Sequence, residues 1–293
     1  MKVTPLAADS LGARSMATLV ETPDVTILLD PGVRLAPFRY DLPPHPSEEE
    51  RRRKLWKGIR TAAMRADVLT VSHYHYDHHE PDAPSLYKGK AAFLKDGKFH
   101  INRSQRERAS AFVRALKPYP REIQVADGND VEFGSTELTF SLAVPHGPTD
   151  ELGYVVMTRV AYGEEAFVHT SDVLGSPLKA HLSFLLDADP TLLYVDGPMT
   201  HMPEAYSEEE TKKSVANLIR IVRKTRVRTV LVDHHALRDR NWRGWTGPLL
   251  AAAEEHEVRI LTAAEYIGQE TGPLEANRDR LYGFGSAPPG RSD

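Results

Sequence analysis

Four histidines and an aspartate crowd one short stretch of this chain, Val71-Ser72-His73-Tyr74-His75-Tyr76-Asp77-His78-His79. Imidazole nitrogen and carboxylate oxygen are donors that zinc takes, and also manganese or iron. The stretch follows Asp67-Val68-Leu69-Thr70-Val71, an apolar, β-branched run that reads as a buried strand. On extended backbone His73 and His75 project from the same side and can close on one ion. Asp77 and His78 come where the chain bends, and can face a second ion about 3.5 Å from the first. A lone histidine is ordinarily a core or surface residue, but H-x-H-x-D-H closing a buried strand reads as a metal site.

Other residues of the same chemistry recur at the ends of expected strands. Val25–Leu29 runs into Asp30-Pro31-Gly32, and Thr136–Val144 runs into Pro145-His146. Ala166–His169 leads to Thr170-Ser171-Asp172, Leu192–Val195 to Asp196-Gly197-Pro198, and Val227–Val232 to Asp233-His234-His235. Ligands gathered from several strand ends are a common way for a rigid scaffold to hold a metal. Met16–Glu21 pairs with Val25–Leu29 around Thr22-Pro23-Asp24, and the stretch with Pro37, Pro43, Pro44 and Pro46 reads as a loop. Ser47 and Glu50 form a capping box for a helix to about Ala66, and Ser104 with Glu107 does the same for Ser104–Leu116. Glu122–Val125, Asp130–Phe133 and Thr136–Val144 read as an antiparallel meander, and Ser207–Lys224 as a helix. Trp242 and Trp245 are read as a lid or a dimer surface. One domain over residues 1–293 is the expectation, with the loop and helix inserted at about 33–66 and a disordered tail from about 288.

The apolar fraction of 41% and charged fraction of 27% are those of an ordinary globular protein. A net charge of −4 provides no global field for nucleic acid or an anionic membrane. The absence of cysteine excludes disulfides, thiolate ligands and a cysteine nucleophile, and fits a reducing cytoplasm. Met1-Lys2-Val3-Thr4-Pro5-Leu6 lacks the apolar core of a signal peptide, and no run approaches a membrane span.

Taken in order, these residues resemble the metallo-β-lactamase superfamily over most of the chain: Asp30, then His73, His75, Asp77 and His78, then His146, Asp172 and a late histidine. The resemblance is closest to a subgroup of predicted metal-dependent hydrolases. It implies an α/β (α+β) fold, a four-layer αβ/βα sandwich with a two-metal site at one edge of the paired sheets. It also implies that His73, His75 and His146 hold the first ion, and that Asp77, His78 and the late histidine hold the second. Asp172 would bridge them. The ions are expected to be zinc, with manganese or iron as alternatives. In the RNA-processing branch the late histidine precedes an arginine by four positions. His234 with Arg238 reproduces that spacing, so His234 is favoured and His235 is the alternative. Only 62 residues separate Asp172 from His234, too few for the large inserted domain of the nuclease branch acting on messenger RNA. His75 stands where flavo-diiron oxygen reductases have a glutamate, which argues against redox chemistry.

A two-metal site of this kind lowers the pKa of a bound water from 15.7 to about 7, giving a hydroxide nucleophile, and Asp77 or Asp172 can take the water's proton. Asp30 and His169 are expected behind the ligands, orienting them; a satisfied strand histidine is the alternative reading of His169. Asp196, His201 and Arg238 are expected to meet substrate, with a plain turn as the alternative for Asp196. The expected substrate is a small molecule or nucleic acid carrying a phosphodiester or related ester. A lactone, thioester or amide, or a non-catalytic metal-binding module, are the alternatives. No membrane partner is expected; a homodimer is one expected assembly.

Overall fold

The computed structural model describes residues 1–284; the tail expected from about 288 lies outside the described residues. Six strands form a first sheet in chain order: β1 (Lys2–Pro5), β2 (Thr18–Glu21), β3 (Thr26–Leu29), β4 (Val68–Val71), β5 (Ala91–Leu94) and β6 (Glu122–Val125). The first three are antiparallel, and β3 to β6 run parallel. The chain then crosses to a second sheet through β7 (Asp130–Phe133) and β8 (Thr136–Phe140). A short ladder of β9 (Val144–Pro145) and β10 (Tyr154–Val155) follows. The second sheet continues with β11 (Thr158–Tyr162), β12 (Glu165–His169), β13 (Leu192–Val195), β14 (Thr229–Val232) and β15 (Arg259–Leu261). Its spatial order is β15-β14-β13-β12-β11-β8-β7.

Alternation along the strands dictates the layering. Ile27, Leu29, Val68, Ala91 and Phe93 of the first sheet pack against Leu138, Phe140, Val160, Phe167 and Leu231 of the second. The intervening Leu28, Leu69, Val71, Ala92 and Leu94 face two helices, α1 (Pro46–Arg65) and α2 (Arg103–Leu116). On the far side, Val168, Leu193, Val195, Val230 and Val232 meet α3 (Lys179–Ala188), α4 (Glu208–Lys224) and α5 (Trp242–Glu255). Strands β4 and β14 are buried on both faces, so they read as continuous apolar runs. The result is helix, sheet, sheet, helix, the four-layer sandwich expected.

Three expectations are corrected. The meander does not exist: β6 joins the first sheet beside β5, while β7 and β8 join the second. Periodicity within a strand is blind to which sheet it joins, and the Asp127-Gly128-Asn129 turn carries the crossing. The capping boxes are also displaced. Helix α1 starts two residues earlier, with His45 and Glu48 as its box, and α2 is capped by Asn102, whose Oδ1 accepts from Gln105 N at 2.9 Å. Trp242 is neither lid nor surface, since it is buried among α4 and α5 with Trp245 packed against it. No helix among the described residues is long and apolar enough to cross a membrane.

Two tertiary connections hold the ends of the chain to this frame. The Asp9–Leu11 turn after β1 reaches across to the end of β14, where Ser10 N donates to Asp233 Oδ1 at 2.9 Å. Arg278, opening the short helix α7 (Arg278–Leu281), is fully buried against Glu48 with bonds of 2.8 and 2.9 Å. Its Nη1 donates to the Leu42 carbonyl and its Nη2 also to that of Ala36, at 3.0 Å each, clamping the proline-bearing loop. α6 (Ala263–Tyr266) completes the second half, capped by Thr262 and Glu265.

Candidate metal centre

The ligand types expected from the sequence converge where β3, β4, β12, β13 and β14 end. Three of these ends carry a non-glycine residue in the left-handed region: Asp30 (φ 48°), Ser171 (φ 57°) and His234 (φ 51°). Such turns are costly for ordinary residues and are held here by side-chain bonds to the backbone. Asp30 Oδ1 accepts from Ser72 N at 2.7 Å, and His234 N donates to Asp233 Oδ1 at 2.8 Å. Gly32 lets the end of β3 lie against the histidine turn: a Cβ there would stand 2.4 Å from His79 N and 2.7 Å from the His78 carbonyl carbon. No side chain fits between these two backbones.

Two groups of donors form, and Asp172 faces both. Its Oδ2 is 3.1 Å from His146 Nε2 and 3.5 Å from His73 Nε2, while His73 Nε2 is 3.0 Å from His75 Nδ1. Its Oδ1 is 3.0 Å from His78 Nε2 and 3.4 Å from His234 Nε2, which is 3.6 Å from Asp77 Oδ2. His73, His75, His146 and Asp172 make one group that could hold an ion, Asp77, His78 and His234 another, and Asp172 with His234 and His235 a third that overlaps both.

The ring nitrogens behind the cluster are already engaged. His78 Nδ1 donates to Asp30 Oδ2 at 2.8 Å, His234 Nδ1 to Asp9 Oδ2 at 2.7 Å, and His235 Nδ1 to Asp196 Oδ2 at 3.0 Å. His73 Nδ1 lies 3.1 Å from Ser72 Oγ and 3.3 Å from Ser171 Oγ. Each of these bonds selects the tautomer whose Nε2 lone pair faces inward, the arrangement typical of metal-bound histidine. His78 Nε2 and Asp172 Oδ1, though 3.0 Å apart, lack hydrogen-bond alignment and have no other partner. Two buried donors aimed past each other at a common point suit an ion between them. The residues therefore fit divalent metal.

Charge is apportioned within the cluster accordingly. Burial and the neighbouring His78 push His73 down to about 4, and burial with His73 holds His75 well below the usual histidine range. Burial acts downward on His78 and His234 too. Asp172 and Asp30 nevertheless raise His78 well above its ordinary value, and Asp172 with Asp9 raises His234 to about 9 against Arg238. Burial would raise Asp77 and Asp172, but His78 and His234 hold both carboxyls low. Positive charge is thus favoured at this spot, which a divalent cation supplies on displacing those protons.

Some placements differ from expectation. Asp196 does not face substrate: it is fully buried, accepts from Leu174 N at 2.7 Å and Gly175 N at 3.1 Å, and backs His235. Burial and Asp172 push its carboxyl up to about 8. His169 sits one step further back. Its Nε2 donates to the Met16 carbonyl at 3.0 Å and its Nδ1 accepts from Ser171 N at 3.2 Å, so it braces the turn carrying Asp172. His79 packs on Phe112 and donates from Nδ1 to the His75 carbonyl at 3.0 Å. Asp9 was not singled out from the sequence, yet it holds both His234 and, through Oδ1 at 3.1 Å, Arg238 Nε. Its only signal is a carboxylate shortly after a strand, and β1 itself is too short and polar to be read.

Above the cluster opens a cavity of about 520 Å³. His75, Asp77, His146, Asp172 and His235 line it from the cluster, with His201 and Arg238 beside them. Burial and Arg238 push His201 down to about 3. Leu35 and Pro37 bring the proline-bearing loop to its edge. Arg14, Arg34 and Arg108 were not anticipated there.

No protein-family model matches the chain. It is 45% identical over 287 residues to a UPF0282 protein of Saccharolobus solfataricus, covering 96% of this chain and 93% of that one. The chain belongs to the UPF0282 family. A UPF0282 protein of Metallosphaera sedula is 44% identical over 293 residues, covering 98% of this chain and 94% of that one. Among solved structures, this UPF0282 chain is similar to Tm1679, a metal-dependent hydrolase of the β-lactamase superfamily (TM-score 0.54, 14% identity, 89% of this chain and 94% of that one). It is also similar to an isothiocyanate hydrolase from Delia radicum gut bacteria (TM-score 0.53, 16% identity, 89% and 95%). Igni18, a metallo hydrolase from Ignicoccus hospitalis, gives a TM-score of 0.51 at 12% identity over 92% and 95%. The UPF0282 chain thus has the metallo-β-lactamase fold that its motifs resemble.

The two late histidines separate experimentally. His234 Nε2 lies with Asp77 and His78, whereas His235 Nε2 is 3.9 Å from Asp172 Oδ2 and borders the cavity. His234→Ala is expected to lower the bound metal from about two ions per chain to about one, and His235→Ala to leave it near two. Elemental analysis of the two purified variants checks this, and the reverse pattern would make His235 the ligand.

Proposed function

We propose that this chain is a metal-dependent hydrolase of phosphodiesters or related esters, with a small molecule such as a nucleotide, or an RNA end, as substrate. The observation that carries the reading is Asp172, with one oxygen toward each donor group, at the floor of an arginine-walled cavity. His73, His75, His146 and Asp172 would hold one ion, and Asp77, His78, His234 and Asp172 the other. Zinc is the first candidate, with manganese or iron as alternatives. When bound, the ions supply Lewis acidity and lower the pKa of a water from 15.7 to about 7. The chain's own residues do the rest. Asp77 and Asp172 both border the cavity and are positioned to take the water's proton. The guanidinium of Arg238, held by Asp9, places a fixed positive charge beside a reacting anion. A cavity of this volume suits a nucleotide-sized ligand better than a folded polymer.

The acyl alternative keeps one supporting observation: Leu35, Pro37, Leu152, Met199 and Met202 give the cavity an apolar side. One assay separates the readings. Purified protein is offered a 4-nitrophenyl phosphodiester, a lactone and a thioester, before and after chelation and with zinc or manganese restored. Phosphodiester turnover that vanishes on chelation and returns with metal is expected. Turnover of the lactone or thioester alone would move the substrate to the acyl class, and no turnover with any metal would leave a metal-binding module.

A further inference from the structure

Four arginines stand in the cavity wall, and three of them have a carboxylate of their own. Arg14 pairs with Glu275 at 2.6 Å, Arg34 with Glu80 at 2.5 and 2.7 Å, and Arg238 with Asp9 at 3.1 Å. Among the described residues Arg108 has none. Its Nη1 donates to the Tyr74 carbonyl at 3.4 Å, and its Cζ lies 4.6 Å from the centroid of the Tyr76 ring. The guanidinium carries five N–H donors, and one long bond leaves the others without a protein acceptor. It is half-buried and lines the cavity, so those donors are open to a bound ligand.

Its position is built, not incidental. Helix α2 is tied to the far rim: Gln105 Nε2 donates to the Leu152 carbonyl at 2.7 Å and Asn102 Nδ2 to the Glu151 carbonyl at 3.0 Å. Tyr74 and Tyr76 flank His75 in the chain, so Arg108 rests on the very turn that supplies the metal-ligand types. Tyr76 is 40% exposed while Asp172 is 2% exposed, which puts the arginine–tyrosine pair at the mouth and the cluster at the floor. Arg34, 5.7 Å from the same ring, is already neutralised by Glu80. A planar guanidinium held by an aromatic face and lacking a counter-ion is ready for bidentate pairing with an oxyanion.

We infer that Arg108 forms an anion-binding subsite at the cavity mouth, taking a phosphate or carboxylate on the arm of the substrate that is not cleaved. The inference rests on the hydrolase reading above and narrows it to esters with a second anionic group. Tyr76 is the positioning residue that keeps the guanidinium turned to the cavity.

The test uses metal-loaded wild type, Arg108→Gln and Arg108→Lys with three 4-nitrophenyl phosphodiesters that differ only in the second arm. One arm is butyl, one ends in a carboxylate and one in a phosphate. Wild type is expected to prefer an anionic arm by roughly 10–100-fold in kcat/KM, the range of a charge-assisted pair. In Arg108→Gln that preference falls to near one, with the loss in KM. Arg108→Lys keeps part of it, because a point charge replaces the fork. Whichever anionic arm wins names the group. Calorimetry with the unreactive methylphosphonate bearing the better arm gives a readout without turnover, and its Kd should weaken at least about tenfold in Arg108→Gln. An unchanged arm preference together with an unchanged Kd overturns the inference and leaves the hydrolase reading intact. If wild type cleaves none of the esters while the Kd still depends on Arg108, the hydrolase reading fails and the anion subsite stands.

Discussion

Asp172→Ala should empty both halves of the centre at once. Its two oxygens face separate donor groups at 3.0 and 3.1 Å, so on the proposed two-ion reading the substitution removes a candidate ligand from each. Wild type is expected to carry about two ions per chain and the variant one or none. Turnover of whichever ester the enzyme accepts should fall by about 10³-fold or more, since both the activated water and the charge stabilisation are lost. A second readout does not depend on turnover. A ligand that binds only the folded state raises stability by about 2.7 kcal/mol at 100 times its Kd, so zinc should raise the melting temperature of wild type markedly and that of Asp172→Ala little. His73→Ala, which strips the first group alone, should fall between the two. Elemental analysis and thermal melts with and without zinc decide the matter. A metal content untouched by Asp172→Ala would end the shared-carboxylate reading.

A comparable effect on stability is expected far from the chemistry. Arg278 and Glu48 form a fully buried, two-pronged ion pair, and the same guanidinium holds the carbonyls of Ala36 and Leu42. Glu48 also accepts from His45 N at 2.8 Å, so it caps α1 as well. Arg278→Leu strands a carboxylate with no water, and removing one partner of such a pair costs about 3–5 kcal/mol. The double substitution Arg278→Leu with Glu48→Leu should recover part of this, because it removes the stranded charge. The single variant should also free the loop carrying Leu35 and Pro37, raising KM and making residues 36–44 accessible to protease. Denaturant unfolding of the three proteins measures the first effect. A loss below about 1 kcal/mol in Arg278→Leu would show that water reaches Glu48 and that the clamp is weak.

What could be read from the sequence, and what could not, follows from the range of the forces involved. His73, His75, Asp77 and His78 could be singled out because strand period and turn act over a few residues, and the structure brings them together. His146, Asp172 and His234 were singled out because each follows an apolar run, and the structure brings all three to the histidine turn. The break between Val125 and Asp130 was missed, as either sheet satisfies the alternation of the flanking strands equally well. Asp9 was missed for a stronger reason: its partners lie on another sheet, and no local pattern encodes that approach. Asp196 was placed on the substrate side because it ends a strand, but the Leu174–Gly175 turn folds over it and consumes its oxygens. The arginines of the cavity sit on helices and loops whose faces only packing determines, so Arg108 reads in sequence as one more charge on α2.

The bonds from the Asp9–Leu11 turn to Asp233, His234 and Arg238 join residues 223, 225 and 229 positions apart. Contacts of such separation form late, because the intervening chain must first be ordered. During synthesis, then, Asp9 and the H-x-H-x-D-H turn leave the ribosome long before Asp172, and Asp172 before His234, which Asp9 steadies. For much of its synthesis the nascent chain therefore holds only part of the candidate metal centre. Zinc supplied then would meet the imidazoles of the turn without Asp172 and without the bonds that fix their tautomers. Preparations refolded without metal and loaded afterwards should therefore be the more homogeneous ones.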